Sequence, residues 1–181
     1  MNKFTTFSSN CLPIRDENID TDQIVPARFL KIISREGWGK YLFYDRRDLL
    51  KKTKAKILVA GNNFGCGSSR EHAAWAIGDY GFRVVISSSF GDIFYNNSLK
   101  NGLLCVVVKP KELEELIERI EKNPKTELTV DLEKQEVRGK DFLYQFEIDS
   151  FRKRCLLKGV DEMGYILSYS EMINRFEMKQ K

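Results

Sequence analysis

Three short apolar runs separated by helix-length segments constrain this chain more than any other feature. Ile57-Leu58-Val59-Ala60, Arg83-Val84-Val85-Ile86-Ser87 and the segment from Leu103 to Val108 have the length and β-branched content of strands buried on both faces. Residues 69–78 lie between the first two runs and place Ala73, Ala74, Ala76 and Ile77 on one packed side of a helix. Residues 92–99 read as a second helix, closed by Asn101-Gly102 in the manner of a C-cap. Pro110 then opens a third helix, in which Leu113, Leu116, Ile117 and Ile120 follow the 3.6-residue period with Glu and Lys opposite. Alternation of this kind implies right-handed crossovers on a largely parallel sheet, so the fold class is α/β.

The flanks are less regular. Phe4-Thr5-Thr6-Phe7 reads as an opening strand, Arg15 to Gln23 as a polar stretch and Pro26 as a turn. Gly37-Trp38-Gly39 is a flexible point before a short helix over residues 41–45. Leu128-Thr129-Val130, Glu136-Val137 and Phe142 to Phe146 alternate like short antiparallel strands. Residues 149–157 and 171–176 look helical, with a frayed tail beyond. No repeat, low-complexity tract or linker divides the chain. Residues 1–181 are therefore expected to form one domain, long enough to bury a core without disulfides.

Charge excludes several function classes. Thirty Lys and Arg stand against 26 Asp and Glu, both signs interspersed, for a net charge of +4. That balance offers no footprint for nucleic acid or an anionic membrane. Arg152-Lys153-Arg154 reads as a solvated helix face. No apolar run approaches the ~20 residues of a membrane span, and the opening segment lacks the apolar core of a signal peptide, so the cytoplasm is expected. Cys11, Cys66, Cys105 and Cys155 are dispersed, without C-x-x-C or zinc spacing. They read as reduced thiols, with no metal or iron–sulfur cluster held by this chain alone.

The richest chemistry lies in Gly61-Asn62-Asn63-Phe64-Gly65-Cys66-Gly67-Ser68-Ser69-Arg70-Glu71-His72. Its glycines permit close approach of a ligand to the main chain, and the loop feeds a helix whose first amides lack internal partners. Ser68, Ser69 and Arg70 at that junction make an anion cradle. The competing reading is a plain N-cap formed by Ser68 or Ser69. The loop is neither a Walker A motif nor a G-x-G-x-x-G fingerprint, so ATP and NAD lose their usual support. Cys66 between two glycines reads as a small filler, and His72 as a structural hydrogen-bonding group.

Residues 62–73 resemble the signature of the swivelling domain of the aconitase superfamily in its small-subunit form. Ile19-Asp20-Thr21-Asp22-Gln23-Ile24-Val25-Pro26-Ala27-Arg28-Phe29-Leu30 resembles that family's second motif. Leu42-Phe43 with Arg46, and Ser89-Phe90-Gly91-Asp92-Ile93-Phe94 through Asn97 to Gly102-Leu103-Leu104, are collinear matches. Leu156-Leu157-Lys158-Gly159-Val160-Asp161-Glu162-Met163-Gly164 is similar to the C-terminal signature of bacterial 3-isopropylmalate dehydratase small subunits. The resemblance spans nearly the whole chain and makes the cap-only reading a minor one.

The resemblance implies an α/β swivelling domain with a mainly parallel sheet, helices on its flanks and an antiparallel extension. It also implies a hydro-lyase of leucine biosynthesis, active with a large subunit that carries a 4Fe-4S cluster. By motif position Ser68 corresponds to the catalytic base and Arg70 to a clamp for a substrate carboxylate. Ser69, Thr21, Asp22 and Arg28 correspond to residues bordering the substrate, a small hydroxy-dicarboxylate. The loop from Arg28 to Trp38 corresponds to the segment that sets substrate choice. Trp38, Phe43 and Trp75 are expected in the core or at a subunit interface. Alternatives are the small subunit of a homoaconitase or related hydro-lyase, and a non-catalytic anion-binding module.

Overall fold

The structure is a computed structural model that describes residues 1–31, 34–50 and 54–178. Seven strands form one sheet: β1 (Phe7–Ile14), β2 (Ile57–Ala60), β3 (Val84–Ser87), β4 (Leu104–Val107), β5 (Glu127–Asp131), β6 (Glu136–Arg138) and β7 (Leu143–Gln145). Their spatial order is β4-β3-β2-β1-β5-β6-β7. β1 to β4 pair in parallel, as the crossover grammar requires. β5, β6 and β7 extend the sheet antiparallel from the other edge of β1.

β1 is the joint between the two regimes. Its first half, Phe7 to Asn10, pairs antiparallel with β5, and its second half, Cys11 to Ile14, pairs parallel with β2. The expected opening strand is therefore displaced: Phe4 precedes β1 as a fully buried core residue. Ser8, Asn10 and Pro13 hide β1 from propensity, yet Ser9 and Cys11 are buried on one face of the strand and Ile14 on the other. Pro13 lies in the half that pairs with β2 alone, where a missing N–H is tolerated.

Helices cover the sheet: α2 (Glu71–Tyr80), α3 (Asp92–Lys100), α4 (Pro110–Lys122) and α5 (Ser150–Lys158). Successive residues of the parallel strands serve two opposite cores. Ile57, Val59, Val84 and Ile86 pack with the α4 residues Leu113, Leu116, Ile117 and Ile120. Leu58, Ala60 and Val85 pack instead with Ala73, Ala76 and Ile77 of α2 and with Trp38 and Phe43. Pro110 occupies the first turn of α4, and the Glu112 carboxylate accepts the Lys109 N–H at 2.9 Å.

Four further expectations are corrected. The polar stretch after Arg15 contains a one-turn helix, α1 (Thr21–Ile24), capped by the Asp20 carboxylate. The region after Gly37 forms two 3-10 segments, Trp38–Tyr41 and Tyr44–Leu50, instead of a helix over 41–45. The C-terminal part holds α6 (Glu162–Leu167) before α7 (Ser170–Met178), and α6 has too few buried residues to show a period. The basic run of α5 is not simply solvated: Arg152 pairs with Glu162, and the Lys153 ammonium donates to the Glu133 carbonyl at 2.7 Å. The last three residues of the tail, and residues 32–33 of the loop from Arg28, lie outside the described residues.

Candidate active site

The glycine-rich loop leaves β2 and is bolted to its neighbours by backbone hydrogen bonds. Gly61 N–H donates to the Ile14 carbonyl (2.9 Å), Gly65 N–H to Ile19 (2.7 Å), and Gly91 N–H to Phe64 (3.0 Å). Gly65 has φ +73, and a Cβ there would sit 2.3 Å from the Phe94 ring. Only glycine fits both the backbone and the space. Gly91 is constrained by space alone, since its Cβ would meet the Gly65 carbonyl oxygen at 2.5 Å. The loop's shape is thus enforced by packing from below.

The acidic segment docks on the loop's outer side. Thr21 N–H donates to the Cys66 carbonyl and the Thr21 hydroxyl donates to the Ser68 carbonyl, each at 3.0 Å. Thr21 is buried, so its hydroxyl acts as a strut that fixes the backbone of Ser68. Asp22 Oδ1 accepts from Ala27 N–H at 2.7 Å and from Arg70 Nη1 at 2.5 Å. The Arg70 guanidinium holds the Asp22 carboxyl below its usual range, helped by the Ala27 amide, the Arg70 charge and Arg28. Arg70 is the more enclosed partner, with its side chain 16% exposed against 56% for Asp22. Among the described residues only Nη1 of that guanidinium makes hydrogen bonds, which leaves the rest of the fork for a ligand carboxylate.

Ser68 and Ser69 are exposed, and among the described residues neither hydroxyl has a hydrogen-bond partner. Helix α2 begins at Glu71 with Arg70 as its cap residue, and no side chain caps it. The N-cap reading of the two serines is therefore removed. The expected helix start at residue 69 moves to 71 because Arg70 is extended, with φ −134 and ψ 104.

The structure thus gathers Thr21, Asp22, Ser68 and Arg70, with Ser69 between the last two. Arg28 lies near enough for its charge to act on Asp22, but it sits on a 3-10 turn, paired with both oxygens of Asp45 and lying over the Phe29 and Tyr44 rings. Sequence reasoning missed Asp45, which nothing nearby marks, and Asp20, whose side chain accepts from the Asp22 and Gln23 amides. An aspartate before Thr-Asp-Gln was the available cap signal. Cys66 is half-buried, its thiol directed at the Asn18 carbonyl 3.5 Å away. His72 is sandwiched between Trp38 and Trp75, with ring centroids 4.5 and 4.8 Å away, and burial pushes its pKa down. Trp38 and Phe43 are core residues.

The chain's thiols do not suit a cluster. Cys11, Cys105 and Cys155 are buried, and burial pushes the first two up to about 12. Among the described residues no group of three or more His, Cys, Asp or Glu side chains gathers to hold a metal.

A four-stranded parallel sheet with an antiparallel flank, and a strand–loop–helix cradle braced by an acidic segment, define the class: a swivelling domain of the aconitase type. Residues 1–111 match the family described as Aconitase C-terminal domain, and residues 114–150 match LeuD_N. A 3-isopropylmalate dehydratase small subunit from Afipia carboxidovorans is 50% identical over 100% of this chain and 97% of its own length. The Brevibacillus brevis protein of the same name is 45% identical over 99% of this chain and 100% of its own. A solved structure of 3-isopropylmalate dehydratase (leuD) from Methanocaldococcus jannaschii superposes with a TM-score of 0.74 at 25% identity, covering 94% of this chain and 99% of that one. The chain belongs to the family of 3-isopropylmalate dehydratase small subunits.

Proposed function

We infer that this chain is the small subunit of a hydro-lyase that interconverts 2-isopropylmalate and 3-isopropylmalate through 2-isopropylmaleate in leucine biosynthesis. The observation that carries this is the cradle itself: an exposed Ser68 hydroxyl with no hydrogen-bond partner among the described residues, two positions before an arginine whose fork is only partly used. Family membership supplies the substrate class. The names of the relatives favour isopropylmalate over homoaconitate.

The reaction removes a hydroxyl from one carbon and a proton from its neighbour, then returns water in the opposite sense. Ser68 Oγ takes and returns the carbon-bound proton. Its alkoxide is stabilised by the amides at the start of α2 and by the Arg70 charge. Arg70 holds a substrate carboxylate through the free side of its fork, while Asp22 fixes the other side. Thr21 sets the height of Ser68 through its carbonyl, and Ser69 and Arg28 border the bound acid. A 4Fe-4S cluster carried by the large subunit would supply the Lewis acid for the substrate hydroxyl.

Residues 1–181 act as one domain that meets the large subunit with the cradle facing it. No described helix is long and apolar enough to cross a membrane, and we place the complex in the cytoplasm. Co-purification from the native cell, followed by an isopropylmalate assay on what associates, tests this reading. A partner that binds iron and turns over isopropylmalate is the expected result. A chain that recovers no partner and binds a carboxylate unaided would instead be an anion-binding module.

A further inference from the structure

We propose that Asn101 is a positioning residue for substrate selectivity, clamping the loop that ends at Trp38 onto the first two turns of α2. Its backbone closes α3, as the sequence indicates. Its side chain does something else. Oδ1 accepts from Arg35 Nη2 at 2.9 Å and from Trp75 Nε1 at 3.0 Å. Nδ2 donates to Glu71 Oε1 at 2.7 Å and to the Asn97 carbonyl at 2.8 Å. Both lone pairs and both hydrogens of the amide are used, which no hydroxyl, carboxylate or amine can reproduce.

The four partners belong to the loop, to α2 and to α3. Arg35 also lies over the Trp75 ring, 5.6 Å from its centroid. Three residues on, Trp38 is buried against His72, and its backbone N–H donates to the Asp79 carboxylate at 2.9 Å. The loop is therefore held on α2 at both Arg35 and Trp38. Through Asn101 the Arg35 anchor is connected to Glu71, the neighbour of the carboxylate clamp Arg70. Asn101 fixes the distance between the part of the site that reads the substrate's side group and the part that grips its carboxylate. This rests on the proposed function, with the loop from Arg28 to Trp38 in the role in substrate choice that the resemblance implies.

Two measurements test it. Amide hydrogen exchange on the full chain reads the clamp without activity: Asn101→Leu and Arg35→Met should each speed exchange over residues 34–38 and leave β2 and β3 protected. Kinetics on the complex with the large subunit read selectivity. Each variant should raise KM more than it lowers kcat, and shift the kcat/KM ratio between 3-isopropylmalate and a homologue with a different side group by about threefold or more. Because the two residues share one hydrogen bond, the double variant should shift that ratio by less than the two single shifts combined. Arg35 is exposed, so Arg35→Met keeps the test alive where Asn101→Leu fails to fold. Unchanged exchange over 34–38 overturns the clamp, and faster exchange with an unchanged ratio overturns the role in selectivity. A wild-type complex inactive on isopropylmalate overturns the functional reading alone, since exchange still judges the clamp.

Discussion

Ser68→Ala separates chemistry from structure at the cradle. The Ser68 side chain is exposed, has no hydrogen-bond partner among the described residues and does not cap α2. Its only described tie, the Thr21 hydroxyl, runs to the backbone carbonyl and survives the substitution. The stability cost should therefore fall within the ~0.5 kcal/mol typical of surface changes, and not the ~1 kcal/mol of a lost cap. Turnover should nevertheless fall by at least ~100-fold, the lower end of what a positioned acid–base group contributes and equivalent to about 2.7 kcal/mol of barrier. Substrate affinity should barely move, because the role proposed for the hydroxyl is on a C–H bond and not on a carboxylate. Steady-state kinetics on the reconstituted complex, with binding titrated separately and the unfolding midpoint measured on the same variant, resolves the three quantities. Near-normal turnover would refute the assignment and send the search for the base to Ser69 or the large subunit.

Arg70→Lys keeps the charge but loses the fork shared between Asp22 and a ligand, so binding should weaken by roughly 10-fold or more alongside turnover, measured by titration and kinetics. Gly65→Ala should destabilise by at least ~2 kcal/mol, combining left-handed strain with overpacking against Phe94, whereas Gly67→Ala meets only ordinary contacts and should cost about half as much; denaturant midpoints compare them. His72 has its pKa lowered from 6.5 by burial, so below that value the unfolded chain binds more protons than the folded one. Its contribution is complete above pH 6.5 and declines as pH falls, a slope in unfolding stability that His72→Gln should flatten.

The central α/β run was legible because its signals are local: unbroken apolar strands, a proline at the start of α4 and a 3.6-residue stripe. β1 was not, because a strand carrying Ser8, Asn10 and Pro13 is selected by its two neighbours and not by its own propensity. The cradle's residues were visible as a motif, and their arrangement was not. That Thr21 holds a carbonyl while Asp22 holds Arg70 depends on a contact across 47 to 48 positions. Arg28 shows the same limit, since its pairing with Asp45 needs the turn between them.

Isopropylmalate isomerisation, measured for this chain alone, for the large subunit alone and for the two together, tests the central claim most directly. The account predicts an iron-free, inactive chain, an iron-bearing large subunit with negligible turnover, and activity only in the mixture, abolished when Ser68→Ala replaces the native chain. Turnover by the large subunit without this chain, or full activity with Ser68→Ala in the mixture, would contradict it.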